Sequence, residues 1–438
     1  MTGAGKVTAQ IGRKALMWLP AVVLAAGTGA LLPLGAASAS ASWTQGHHVL
    51  KVSTRGSDHG NCRQSPCRTL GYALTQAGPG DTIVIRPGTY RESGNANVVP
   101  PRLKGLTIRS TGSAASTVIN AKGNANGILI WASGVSVRGL TVKNANLEGI
   151  LAEPPPSSWP KTPTSPPVGI SHVTIAGNVA VHNDKAYNTS LPPMAACPSS
   201  VTDADDCGEA IHFIAVSWSK VIGNRVANNV GGILVSDGGF GISVGPAAHN
   251  VIAFNRSIDN KFDCGITLPG HDPRAVATSG PNAGQPQPHL AGVFDNVIVG
   301  NVSNGNGAAG LLDATPYPGT GSYNNVFIGN SASGNGNSGF VLHSHAPLQD
   351  VSGIFVVGNR FGPNNLAGDP DTGVKKSTGV MLLSVAVPTK IVVAGNKIFD
   401  NVNGVAFNSL IKHVGHNRFA NVIHHYFLYT PPPPPPAG

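Results

Sequence analysis

Short apolar runs alternating with small or polar residues fill most of the chain, and seven of them close on an asparagine. They read VTIAGN, KVIGN, VIAFN, VIVGN, VFIGN, FVVGN and VVAGN, ending at Asn178, Asn224, Asn255, Asn301, Asn330, Asn359 and Asn396. A period of two in runs rich in Val and Ile is a strand signal, and the runs are too short for helices. Five residues after each Asn stands another: Asn183, Asn229, Asn260, Asn306, Asn335, Asn364 and Asn401. A glycine and a further apolar run follow most pairs (GGILV, CGITL, AGLLD, SGFVL, TGVML, NGVAF). Asn and Gly both tolerate the left-handed backbone of a tight corner. The pattern predicts a repeat of strand, corner, short strand, corner, strand and loop.

The first asparagines are spaced by 46, 31, 46, 29, 29 and 37 residues. Those intervals fit one unit per turn of a solenoid, the longer ones carrying insertions. Turns stacked at the parallel-strand spacing of about 4.8 Å would set Asn upon Asn, amide to amide. The alternative, that each Asn is only a turn residue, does not explain seven pairs at constant offset.

The repeat resembles the right-handed parallel β-helix of the pectate-lyase-like superfamily over roughly residues 49–427, and implies an all-β coil whose activity the fold does not fix. Ahead of the repeat, Leu70, Ala73, Leu74 and Ala77 recur at helical spacing. They predict a short amphipathic helix within a cap over 49–92, shielding the exposed end of the coil. Asp81, after Gly78-Pro79-Gly80, reads as a turn residue. Coils follow over 93–429, broken by a proline-rich loop at 153–168 and closed by a proline tail at 430–438. Further insertions, at 188–208, 269–290, 313–322, 343–350 and 361–377, mostly follow the Gly-apolar strand. They would leave one edge of it and wall a groove, where binding residues gather.

Residues 1–41 read as a secretory signal, with Lys6, Arg13 and Lys14, an apolar stretch from Ala15 to Ala37, and small-residue cleavage sites at 37–41. The competing reading is an uncleaved anchor. Cleavage would leave a secreted, monomeric domain with no membrane attachment. It would also lower the formal net charge from +9 to +6 by removing three cations. With 11% charged residues and no basic cluster, nucleic acid is excluded as a partner. Secretion permits disulfides, and proximity suggests Cys62 with Cys67 and Cys197 with Cys207, other pairings remaining open. Cys264 would then be free and buried.

Candidate chemistry lies around the Gly-apolar strand. Asp203, Asp205, Asp206 and Glu209 offer oxygen ligands for Ca²⁺, although not at EF-hand spacing; the competing reading is a solvated acidic loop. Asp237, Lys261, Asp263, His271 and Asp272 are candidates for proton transfer, since a carboxylate beside Lys or His can abstract or donate a proton and paired carboxylates can cleave a glycosidic bond. His212, Asp313, His343 and His345 are candidates for substrate binding. Each alone also reads as an exposed loop polar residue. Asn260 to Asp272 loosely resembles a pectate-lyase turn, with Asp263 in the place of an acidic ligand, but further Asp residues are missing. The polygalacturonase motif set is absent. These readings predict a secreted protein that binds, and cleaves or remodels, an extended polysaccharide as a lyase or hydrolase; the competing class is a non-catalytic surface protein.

Overall fold

The computed structural model describes residues 47–93, 97–190, 207–385 and 389–431. The predicted repeat is a right-handed parallel β-helix. Each turn contributes one strand to each of three faces. Face one holds twelve parallel strands, from Val49–Val52 to Ile411–Val414. Face two runs from Gly88–Tyr90 through Val179–Val181 to Arg360–Phe361. Face three runs from Val98–Val99 through Glu209–Ile214 to Thr378–Ser384. Two long last strands, Lys397–Phe407 and Arg418–Leu428, pass through both of the latter faces and join them into one sheet.

Alternation decides which side chains enter the coil. On face one, Ile175, Val221, Ile252, Ile298, Phe327 and Val356 stand in register in successive turns, all buried. Face three breaks the alternation: Gly231–Ser236 and Thr378–Ser384 are buried throughout. A strand covered on both sides reads as a continuous apolar run, the GGILV and TGVML of the sequence.

The asparagines stack as predicted. Between faces one and two, each amide Nδ2 donates to the Oδ1 of the next turn, from Asn178 to Asn417, at 2.8–3.2 Å. Asn183 to Asn364 do the same between faces two and three, at 2.8–3.1 Å. A third column, Ser219, Asn250, Asn296 and Asn325, lies where the chain enters face one. One expectation is corrected. The left-handed residue is not the asparagine but the one before it, for example Gly177, Gly223, Phe254, Gly300 and Gly329 at φ 55–65°. The preceding residue makes the bend, and the asparagine's amide bonds the turns together.

The cap helix spans Leu70–Gln76 and buries Leu70, Ala73 and Leu74. The Thr69 hydroxyl accepts from Tyr72 N–H, and Glu92 accepts from Leu70 and Gly71 N–H at 2.7 Å each. Arg102 donates to the carbonyls of Leu74 and Ala77, so both helix ends are satisfied. Asp81 is a turn residue, accepting from His48 and Gly78 N–H. Cys62 and Cys67 form a disulfide, Cys207 is disulfide-bonded, and Cys264 is free and buried. Cys197 lies outside the described residues. Among the described residues no helix is long and apolar enough to cross a membrane.

Candidate functional site

Face three has an outward column, one residue per turn: Leu151, His212, Leu234, Thr267, Leu312, Val341 and Met381. The predicted groove is not an open trough. Leu151 packs with Trp159 of the proline-rich loop, while Val341 and Met381 pack with Val374 and Tyr429. The insertions fold over the strands they were expected to wall.

Polar groups gather at two places on this outer side. At the first, His212 lies in register with Leu151. Its Nδ1 is 3.7 Å from Glu148 Oε1, and its Nε2 is 3.2 Å from Ser236 Oγ of the next turn. Glu148 stands two residues before Ile150 and Glu209 two before Ile211; those isoleucines pair, so the two glutamates occupy matching places in adjacent turns. Glu209 spreads over Gly231, leaving no room there for a Cβ. Glu153 follows Ile150–Ala152 and accepts from Trp131 Nε1 at 3.2 Å. Burial pushes the Glu153 carboxyl up to about 7, with Glu148 adding to the rise and Trp131 and His212 opposing it. Glu148, Glu153, Glu209 and His212 are only 2–6% exposed.

At the second, His343 at the end of Phe340–Ser344 lies between two carboxylates of the 361–377 insertion. Its Nε2 is 3.2 Å from Asp369 Oδ2 and its Nδ1 is 3.2 Å from Asp371 Oδ2. Burial works against a charged ring, but the two carboxylates outweigh it and hold His343 up at about 9. His345 sits edge-on to His343, ring centres 5.1 Å apart; burial, then the charge on His343, push it down to about 4.

The other predicted residues are placed elsewhere. Asp237 Oδ1 accepts from His271 and Asp272 N–H, and its Oδ2 from Gly292 N–H. Burial, then Asp272, push it up to about 7. Asp272 forms a buried ion pair with Arg274 at 2.8 Å and accepts from Ser243 Oγ and Val244 N–H. His271 packs on Phe240 at 4.8 Å, and its carbonyl accepts from Tyr317 Oη. These groups pin the loops leaving face three to one another, and the carboxylate oxygens are spent on that task. Lys261 and Asp263 lie where the chain enters face three, on the opposite edge from Asp272. Lys261 is exposed, and burial raises the Asp263 carboxyl. Asp313 pairs with Leu268 and Leu342 and points into the coil, not onto a binding surface. There it accepts from Asn325 Nδ2 at 3.0 Å, its other oxygen has no partner among the described residues, and burial pushes it up to about 8. Asp203, Asp205 and Asp206 lie outside the described residues; Glu209, which ends that acidic stretch, belongs to the His212 cluster.

Glu148, Glu153, Asp369 and Asp371 were not picked out by sequence. Glu148 carried a signal, standing at the same offset from Ile150 as Glu209 from Ile211. The two aspartates sit in an insertion with no repeat partner.

No family model and no curated protein matches the chain. Several solved structures do. The A-module of Azotobacter vinelandii mannuronan C-5 epimerase AlgE4 is 15% identical, covering 87% of this chain and 98% of that one at a TM-score of 0.46. The alginate lyase of Paenibacillus sp. str. FPU-7 is 14% identical, covering 87% and 99% at 0.43. Pectate lyase Pel9A is 13% identical, covering 85% and 78% at 0.42. At these values none assigns an activity to this chain. By its own parallel sheets and stacked corners it has a right-handed parallel β-helix fold, and no family is resolved.

Proposed function

We propose that this is a secreted, monomeric β-helix enzyme that hydrolyses a glycosidic bond in an extended polysaccharide. One observation carries the reading: Glu148, Glu153, Glu209 and His212 converge on the outer side of face three from two adjacent turns. Glycoside hydrolysis needs one carboxyl protonated to release the leaving oxygen and a second ionised to activate water or attack carbon. Glu153, titrating near 7, fills the first role at neutral pH. Glu148 or Glu209 fills the second, and His212, beside Glu148, steadies the ionised form.

With Glu153 protonated, the two carboxylates Glu148 and Glu209 still face a single imidazole and repel a uronate, so the sugar at the scissile bond is neutral. Phe262, 42% exposed and stacked on Tyr187 at 4.8 Å, lies where the chain enters face three and offers a stacking surface for a sugar ring. The signal-like composition of residues 1–41, with small-residue sites at 37–41, and the Cys62–Cys67 bridge support secretion. Ca²⁺ at Glu209 with Asp203, Asp205 and Asp206 would neutralise part of the acidic charge.

A second reading, a non-catalytic binding protein, draws on the burial of the same four side chains. Incubation with neutral glycans and polyuronides separates the two. New reducing ends from a neutral glycan support hydrolysis, unsaturated products from a polyuronide would replace it with a lyase, and binding without turnover would favour the second reading.

A further inference from the structure

We infer that His343, His345 and Asp371 form a binding site for a divalent transition metal of the Zn²⁺ class, oriented by Asp369. The ligand atoms of the three residues lie within 4.8 Å of one another. Around a tetrahedral ion with bonds of about 2.1 Å, ligand atoms stand about 3.4 Å apart. The proposal requires side-chain rotation to close the remaining distance. Asp371 has the freedom for it, its side chain being 46% exposed.

The arrangement around His343 supports the assignment. Metal-bound histidines commonly give their second ring N–H to a carboxylate, which fixes the tautomer and aims the first nitrogen. Asp369 does this at His343 Nε2, from a buried position. Its own Oδ1 accepts from the N–H of Asp371 and Thr372, so the loop holds the carboxylate in place. His343 Nδ1 is thereby turned towards Asp371, where an ion would take the place of the proton between them. The ring nitrogens of His345 have no hydrogen-bond partner among the described residues. Two imidazoles with a carboxylate suit Zn²⁺, Co²⁺ or Fe²⁺, whereas Ca²⁺ and Mg²⁺ prefer oxygen ligands alone. Three protein ligands beside an exposed carboxylate leave a fourth position open, as a catalytic rather than a closed structural site does.

The site is independent of the hydrolase reading. It lies four turns along face three from His212, about 19 Å at the parallel-strand spacing. The ion would also tie the 361–377 insertion to the strand beneath it.

The test is metal titration of the untagged, chelator-treated full chain, by calorimetry with Zn²⁺ and by visible absorption with Co²⁺. One equivalent per chain is expected, with the d–d bands of a low-symmetry Co²⁺ site and a melting temperature that rises with Zn²⁺. His345→Ala, at a half-buried position, and Asp371→Ala, at an exposed one, should lose the stoichiometric site and the Co²⁺ bands while melting like the metal-free wild type. Asp369→Asn should bind 10- to 100-fold more weakly. Absence of a stoichiometric site in the wild type, or equal binding by His345→Ala and Asp371→Ala, would overturn the assignment. Neither result bears on glycan cleavage by the His212 cluster.

Discussion

The corner between faces one and two and the outer side of face three both bury polar side chains, with opposite results. In the corner every group is a neutral amide whose donor and acceptor are taken up by the turns above and below. On face three the groups are carboxylates and imidazoles: burial pushes Glu153 up and His345 down, while two carboxylates hold His343 up against burial. A satisfied amide column stabilises, because its polar atoms lose nothing on leaving water. Buried titratable groups cost stability, so a cluster of them whose oxygens are not all used to hold the backbone is a candidate for chemistry.

The largest expected effect lies in the column. Asn301→Ala removes the bonds from Asn301 Nδ2 to Asn330 Oδ1 and Ile252 O, and takes from Asn255 the oxygen that accepts both its backbone N–H and its Nδ2. A loss of about 3 kcal/mol is expected from several buried groups left unpaired, read from urea unfolding. A loss no larger than that of a surface Asn→Ala change would break the comparison.

Asp313→Asn tests the same contrast inside the coil. The folded carboxyl titrates near 8 against an ordinary value of 3.8, so the native state binds the extra proton between these limits. Stability therefore falls as pH rises from about 4 to about 8. Asparagine keeps the acceptor for Asn325 and cannot ionise. The variant should be about 2 kcal/mol more stable than wild type at pH 8, with the gain gone by pH 4. A pH-independent difference between the two proteins would discard the buried-carboxyl account.

Phe254→Gly addresses the bend itself. Phe254 holds φ 55° where other turns have glycine. Replacement should relieve left-handed strain and stabilise by about 1 kcal/mol, measured by thermal melting. A loss of stability would show instead that the ring's packing over Gly300 outweighs the strain.

How much of this was legible follows from repetition. The two long columns announced themselves because Asn recurs at a fixed offset of five. The third was readable by the same rule, since Asn250, Asn296 and Asn325 precede Asn255, Asn301 and Asn330 by five residues, yet no apolar run separates them from the preceding loops clearly enough to draw notice. The site has no period. His212 and Glu209 were named, but Glu148 and Glu153 lie some sixty residues earlier, and only turn stacking unites them. Asp237 and Asp272 had the composition of a catalytic pair, an acid beside His271, while their oxygens hold backbone N–H groups and Arg274. Composition does not tell a carboxylate that holds a loop from one that moves a proton; partners do.

The central claim, that the His212 cluster cleaves a glycan with Glu153 as the acid, is tested most directly by the pH–rate profile of reducing-end release, wild type beside Glu153→Gln. Wild type should cleave a neutral polysaccharide at a rate that falls as pH passes about 7, because Glu153 loses its proton there. The variant keeps an acceptor for Trp131 and should fold normally while losing a factor on the order of 10²–10⁴ in rate. A variant that cleaves like wild type, or a folded wild type that cleaves no glycan, would contradict it.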